Sequence, residues 1–393
     1  MLVQDIQTEK INLLRSNQLK IYLLTFISFL VGTSQFVIAG VLDKISDSLN
    51  ITVSSAGQLI TAFALASAIG TPILTLIVSR YSLKKQLLIA LFIFIIGAVL
   101  TPLSSNFTIL IIARIITGIG SILFVVVSYI LASKLAKKNE QGSAMSNIAL
   151  GFSLSLVAGV PLGRAISNLY NWQMIFYFIA FLVFICIFMI TFSIKDEKST
   201  TKNSFMEQLK LLKNKKVLLS LMITFFVFIS FSSITTYITP LLLSISDINE
   251  NNLTTIFLIL GIASVIGSKS GATIADKVGI SKILISTLFT IIVTLILMYI
   301  FKNFYIFVLM LTIWTISTWM FGPTQSLNLS ILFPNHASIL LSLNSSVVQL
   351  GFAFGAIFSG ISIDRFSINS IILLSVISTL IALFLYKKLQ LEK

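Results

Sequence analysis

Residues 195–216, KDEKSTTKNSFMEQLKLLKNKK, form the one long polar run in a chain of 393 residues. The run carries seven lysines and three acidic residues, and each ionised side chain at the centre of a bilayer costs about 2.5–3.5 kcal/mol or more. It therefore reads as a solvated connector. It lies near the middle of the sequence and leaves two apolar stretches, residues 1–194 and 217–393, that have to be explained as membrane structure.

Composition supports that reading. Hydrophobic residues make up 56% of the chain and charged residues 10%, whereas ordinary soluble domains are about 25% charged. The formal charge of +14 does not point to nucleic acid, because the positive residues sit in short clusters between apolar runs and not among exposed aromatics. It suits an anionic lipid leaflet. The single cysteine, Cys186, lies inside an apolar run, which excludes an intramolecular disulfide and a zinc spacing and reads as packing. Residues 1–18 are polar and mixed in charge and precede a span longer than a signal-peptide core, so the first span is expected to be retained.

Crossing about 30 Å of hydrocarbon at 1.5 Å per residue takes about 20 apolar residues. Windows of that length predict spans at Leu19–Leu42, Ser55–Val78, Gln86–Leu103, Phe107–Leu131, Gly142–Ile166 and Trp172–Ile194. Beyond the connector they predict Val217–Leu243, Leu253–Ala275, Lys282–Ile300, Phe304–Leu327, Ala337–Ile363 and Ile368–Tyr386. The expected fold class is an all-α integral membrane protein of twelve helices. The apolar runs are continuous, and the dyad alternation of a membrane β-barrel is absent. With both termini and the connector inside, 22 of the 27 Lys and Arg fall on the inner side. Lys44, Arg164, Lys302 and Arg365 fall outside, and Arg114 lies within a span. Positive residues collect in cytoplasmic loops, so this is the expected topology.

Sliding the sequence by 197 residues brings Gly70 onto Gly267, Arg80 onto Lys277, Lys85 onto Lys282, Asn147 onto Asn344 and Gly163 onto Gly360. The pairs occupy equivalent places, which predicts a duplication: six-helix halves at 1–194 and 217–393, related about the membrane normal.

Four stretches carry a family resemblance: GTPILTLIVSRYSLKK (70–85), RIITGIG (114–120), GFSLSLVAGVPLG (151–163) and GATIADKVGISK (271–282). Together with GTSQFVIAGVL (32–42) in the first helix, they resemble the signature segments of the major facilitator superfamily. The resemblance extends over nearly the whole chain and is nearest to the bacterial twelve-helix drug:proton antiporter branch, which also holds sugar and nucleoside exporters. It implies a bacterial inner-membrane protein that moves a small molecule by alternating access, with efflux, drug resistance and protons as the associated expectations. It implies no cofactor and no nucleic-acid partner, and a monomer in membrane lipid.

The same residues can be read physically. Asp276, Lys277 and Lys282, with Gly271 and Gly279 allowing close approach and a tight turn, could latch two helices in one conformation or simply form a solvated loop. The matching loop around Arg80, Lys84 and Lys85 has Ser79 where the family pattern expects Asp and Ser82 where it expects Gly, so a latch there should be weaker. In the fifth helix, Gly151, Gly159, Pro161 and Gly163 combine missing side chains with a missing donor. They permit a kink and close packing between halves, although mere helix packing is an alternative. Arg114 is a functional candidate, because an intramembrane Arg must face a bundle interior or a water-filled cavity; a structural Arg held by carbonyls is the alternative. Lys269 either snorkels to the interface or lines the cavity.

Polar side chains that could line that cavity are Thr33, Ser34 and Gln35 in the first helix, Thr235, Thr236 and Tyr237 in the seventh, Trp314 and Gln325 in the tenth, and Asn344 and Gln349 in the eleventh. His336, the lone histidine, falls in an inner loop. No Walker loop, HExxH or GxSxG set is present, which excludes ATP as the energy source and makes an enzyme unexpected. Two other readings stand beside an exporter of amphipathic compounds or drugs: an exporter or facilitator of a polar metabolite, and a receptor or scaffold that has lost transport. Coupling is the point of departure from the family. The resemblance implies a Glu where this chain has Gln35, and Gln cannot titrate. None of the 13 acids falls inside a predicted span, which leaves Asp43 and Asp364, at outer helix ends, as fallback proton sites if they are buried.

Overall fold

The computed structural model describes residues 2–78, 80–137, 141–194, 196, 211–245, 250–332 and 336–391. Most of the 195–216 connector, Ser79 and the side chain of Asp276 lie outside the described residues. Among the described residues every regular element is helical, and twelve helices are long and apolar enough to cross a membrane. That is the outcome expected where hydrocarbon offers no partner to a backbone N–H or C=O, so that each segment must satisfy its own.

The first span is α1 (Leu2–Gly40), followed by a short α2 (Leu42–Leu49), α3 (Val53–Val78), α4 (Leu83–Leu103) and α5 (Phe107–Leu135). The fifth span is composite, α6 (Gln141–Leu154) and α7 (Val160–Leu169) around a π-helical turn at Ser155–Gly159, and α8 (Trp172–Ser193) completes the first six. After the connector come α9 (Lys215–Thr236) with a short α10 (Ile238–Leu243), α11 (Glu250–Val278), α12 (Ile280–Ile300), α13 (Phe304–Leu332), α14 (Ala337–Arg365) and α15 (Ser370–Leu391). Asparagine starts three of them. Asn106 accepts from Ile109 N–H at 3.0 Å, Asn171 from Met174 N–H at 3.1 Å and Asn214 from Lys216 N–H at 3.0 Å, filling donors that a helix start leaves free.

Three spans differ in detail from the apolar windows. The first stops at Gly40, and Leu42–Leu49 turns off as a separate amphipathic helix that buries Leu42 and Ile45 and closes on Asn50 at φ 51°. The fifth is interrupted because Pro161 has no N–H to give. The chain inserts a π-turn in which Val160 N–H reaches Ser155 O, the usual form of a local helix defect at a functional position. The seventh breaks at Tyr237 (φ −110°, ψ 22°), three residues before Pro240, whose ring cannot follow a helical carbonyl at Thr236.

The glycines of the fifth span do not face the second set of helices. A Cβ on Gly159 would collide with Thr33 and one on Gly163 with Val37, so both seat the span on α1, within the first set. The π-turn explains the change: it pushes Leu156 and Val157 outward, against Gly261 of α11, where a Cβ would strike the Val157 backbone. The two sets also meet along α3 and α14. Large apolar side chains such as Phe92, Phe181, Phe192 and Phe384 are exposed around the perimeter, where hydrocarbon covers them.

Candidate functional site

Arg114 lies two turns into α5 with its side chain fully buried. Its Nη1 donates to Ser34 O at 3.1 Å, and its guanidinium carbon lies 4.7 Å from the centroid of the Phe63 ring, a cation–π distance. Nε and Nη2 have no hydrogen-bond partner among the described residues. Arg114 is also one wall of a cavity between the two sets, lined besides by Gln35, Phe36 and Phe63 on one side and by Thr235, Thr236 and Phe352 on the other. The structure thus brings together Gln35, Arg114, Thr235 and Thr236 from the sequence candidates. A second compartment shares Phe36, Ala39 and Thr235 with the first and is walled by Leu156, Val160, Phe231, Ile238, Phe257 and Trp314. Trp314 stacks on Phe231 at 5.6 Å, with its Nε1 buried and lacking a partner among the described residues.

The remaining candidates fall elsewhere. Thr33 donates to Phe29 O at 2.7 Å beneath Gly159, and Ser34 contributes its carbonyl to Arg114. Gln325 and Asn344 belong to a knot inside the second set. Gln325 Nε2 donates to Ser220 O at 2.9 Å, Thr224 Oγ1 to Asn344 Oδ1 at 2.8 Å, and Asn328 Nδ2 to Gln325 Oε1 at 3.3 Å. These bonds tie α9, α13 and α14 together near the end of the bundle that carries the termini. Gln349 is buried on α14 and lines neither compartment, and Lys269 is exposed.

Tyr237 is a plug more than a wall. Its hydroxyl donates to Ala356 O at 3.1 Å, with Ser54 O of α3 at 3.4 Å, and the ring fills the place where a Cβ on Gly57 would stand. Gly360 lies against the same hydroxyl. Thr239 Oγ1 donates to Ala39 O at 2.9 Å and Thr61 Oγ1 to Ala353 O at 3.5 Å. The bonds to Ser54, Ala39 and Ala353 join the two sets, and all lie in the half of the bundle far from the termini.

At the terminal end, Ser82 caps α4 and donates to Asp196 Oδ1 at 2.6 Å, while Lys84 Nζ donates to Thr191 O at 2.7 Å. Where the loop lacks an acid of its own, Asp196 beyond α8 supplies one. Arg80 Nε donates to Ile77 O at 3.3 Å and lies 6.0 Å from the Tyr81 ring, and Lys85 is exposed. Gly279 starts α12 at φ 104°, a backbone that favours glycine, with Lys277 and Lys282 exposed beside it. Gly271 packs on the Met320 backbone. His336 is exposed at the start of α14.

One pairing was not anticipated. Arg164 holds Asp43 through two hydrogen bonds, Nη1 to Oδ1 at 2.6 Å and Nη2 to Oδ2 at 2.8 Å, and Nη1 also reaches Gly40 O at 2.9 Å. Both charges stand at the far ends of packed spans, and that shared location was the available signal. Asp43 is thus partly buried but committed to a cation, and Asp364 is exposed.

The model described as Major Facilitator Superfamily matches residues 24–340. The chain belongs to this family. An uncharacterized transporter of the superfamily, YbcL of Bacillus subtilis, is 39% identical over 369 residues, covering 94% of this chain and 95% of its own. AraJ of Escherichia coli, named a putative transporter, is 29% identical over 276 residues, 69% of each chain. Among solved structures, a bacterial homologue of the human lysosomal transporter Spinster, inward-facing and unoccupied, matches with a TM-score of 0.82 at 14% identity over 94% of this chain and 96% of its own. Likeness at that identity concerns the fold. Membership makes this major facilitator protein a multi-pass membrane transporter of a small molecule and not an enzyme.

Proposed function

We propose that this transporter exports small amphipathic compounds by alternating access. Residues 1–194 and 217–393 rock about the cavity at Arg114, with 195–216 joining them and both termini on the cytoplasmic side of a bacterial inner membrane. The observation that carries this reading is where the described residues join the two sets. The seal of Tyr237 against Gly57, Ser54 and Gly360, with the Thr239 and Thr61 bonds, lies at the far end, while the 22-residue positive bias of the sequence belongs to the end that carries the termini. This arrangement suits a carrier closed to the outside and receptive from the cytoplasm. The second compartment, walled by Phe36, Phe231, Phe257 and Trp314, suits a substrate with an apolar body more than a sugar. Gln35 in the cavity wall and the Arg164 bond on Asp43 argue against proton exchange through a carboxylate there.

Growth of cells with and without the gene on a panel of toxic amphiphiles, beside accumulation of the same compounds, tests the proposal. Export predicts higher tolerance and lower accumulation with the gene. Equal tolerance and accumulation across the panel would remove the proposal.

A further inference from the structure

Three buried donor groups on residues that wall the cavities have no acceptor among the described residues: Nε and Nη2 of Arg114, which lines the first compartment, and Nε1 of Trp314, which lines the second. Arginine and tryptophan side chains donate only, and the guanidinium keeps its charge. The neighbours do not meet that demand. Thr235 Oγ1 donates to Phe231 O at 2.8 Å, the Gln35 amide and the Thr236 hydroxyl line the cavity without bonding Nε or Nη2, the other surfaces are largely aromatic or aliphatic, and no carboxylate of a described residue lines either compartment. Asp43 is held by Arg164 and Asp364 is exposed. Among the described residues the Arg114 charge is met only by the Ser34 carbonyl and the Phe63 ring, with no anionic partner, beside an apolar chamber.

We infer that the transported compound is an organic anion, an aromatic or aliphatic body bearing a single anionic acceptor group held by the free edge of Arg114. This inference rests on the transporter reading above and names its substrate. The body occupies the compartment of Phe231 and Trp314, and the anionic group completes the hydrogen bonds that Arg114 lacks. It also supplies an energy source that needs no titrating side chain. With the anion bound the cavity is electrically neutral, and the loaded carrier turns outward without moving charge through the field. Once empty, the cavity returns with the positive charge of Arg114, which an inside-negative potential draws inward. Each cycle exports one negative charge, and 100 mV then sustains about a fiftyfold concentration ratio. A carrier of this kind can dispense with the acid that Gln35 replaces.

The test uses the full chain, purified and reconstituted, with three probes that share one ring: naphthalene-2-sulfonate, naphthalene-2-sulfonamide and a naphthyl trimethylammonium. The sulfonate stays ionised and cannot ferry a proton. By calorimetry it should bind about tenfold or more tighter than the sulfonamide, with weaker binding still for the ammonium. Arg114→Gln should lose the sulfonate preference, and Arg114→Lys should retain part of it. In liposomes without a pH gradient, a potassium diffusion potential, negative on the sulfonate side, should accelerate sulfonate efflux. Selectivity of the unaltered protein decides the matter even where Arg114→Gln fails to accumulate. Binding of the ammonium as tightly as the sulfonate, a sulfonate preference that survives Arg114→Gln, or efflux indifferent to the potential overturns the inference. Transport of the ammonium or the sulfonamide but not the sulfonate leaves an exporter with the wrong substrate class. Failure of every compound, here and in the growth panel, removes the transporter reading itself.

Discussion

The Asp43–Arg164 pair offers a perturbation whose size follows from its geometry. Arg164 is 1% exposed and Asp43 19%, and the two carboxylate oxygens take separate guanidinium nitrogens. Removing one partner of such a pair costs about 3–5 kcal/mol, chiefly because the other charge is left buried and unpaired. Asp43→Asn returns one neutral acceptor and leaves the Gly40 carbonyl in place, so the lower end, about 3 kcal/mol, is the expected loss. If that loss appears in the unfolding step, the protein in detergent should unfold about a hundredfold faster at a fixed temperature. Rates are the appropriate readout where unfolding is irreversible. The double variant Asp43→Asn with Arg164→Gln removes the charge together with its partner, and its loss should fall short of the summed single losses by about 2 kcal/mol. An Asp43→Asn protein that unfolds at the unaltered rate, or single effects that simply add, would show that the pair does not hold α2 to α7.

Other outcomes follow from the same contacts. A side chain at Gly57 strikes the Tyr237 ring, and overpacking costs about 1–3 kcal/mol. Gly57→Val, made in a Cys186→Ser background, should therefore raise labelling of a cysteine at Thr236 by an impermeant maleimide from outside between about fivefold and a hundredfold; unchanged labelling would discount the plug. Gln325 holds α9 by Ser220 O and accepts from Asn328, so Gln325→Leu should lower stability by about 1–3 kcal/mol while leaving the apparent substrate affinity as it was. A changed affinity with unchanged stability would return Gln325 to the cavity.

The parts of this protein legible in the sequence are those governed by one local quantity. Span number follows from apolar length, and Arg114 stands out because a buried charge has so few permitted places. Whether a polar side chain faces the cavity or a neighbour within its own set has no local signature, since each central helix touches both. Gln325 and Asn344 look like Gln35 and Thr236 along the chain, yet the first two close a knot and the last two line a cavity together with Arg114. Tyr237 is harder still, being one aromatic in an apolar run whose meaning comes from the missing side chains of Gly57 and Gly360 on two other helices. The fifth span shows the intermediate case. Pro161 announces a defect, but not that the chain repairs it with a π-turn, and that one choice decides what its neighbours touch. The extra residue in the turn carries Leu156 and Val157 to Gly261 and leaves Gly159 and Gly163 on α1. The surface on which α11 packs against the fifth span is thus set by backbone hydrogen bonding at Val160, and a substitution that restored a regular α-helix there would rotate that surface away without altering a single residue in it.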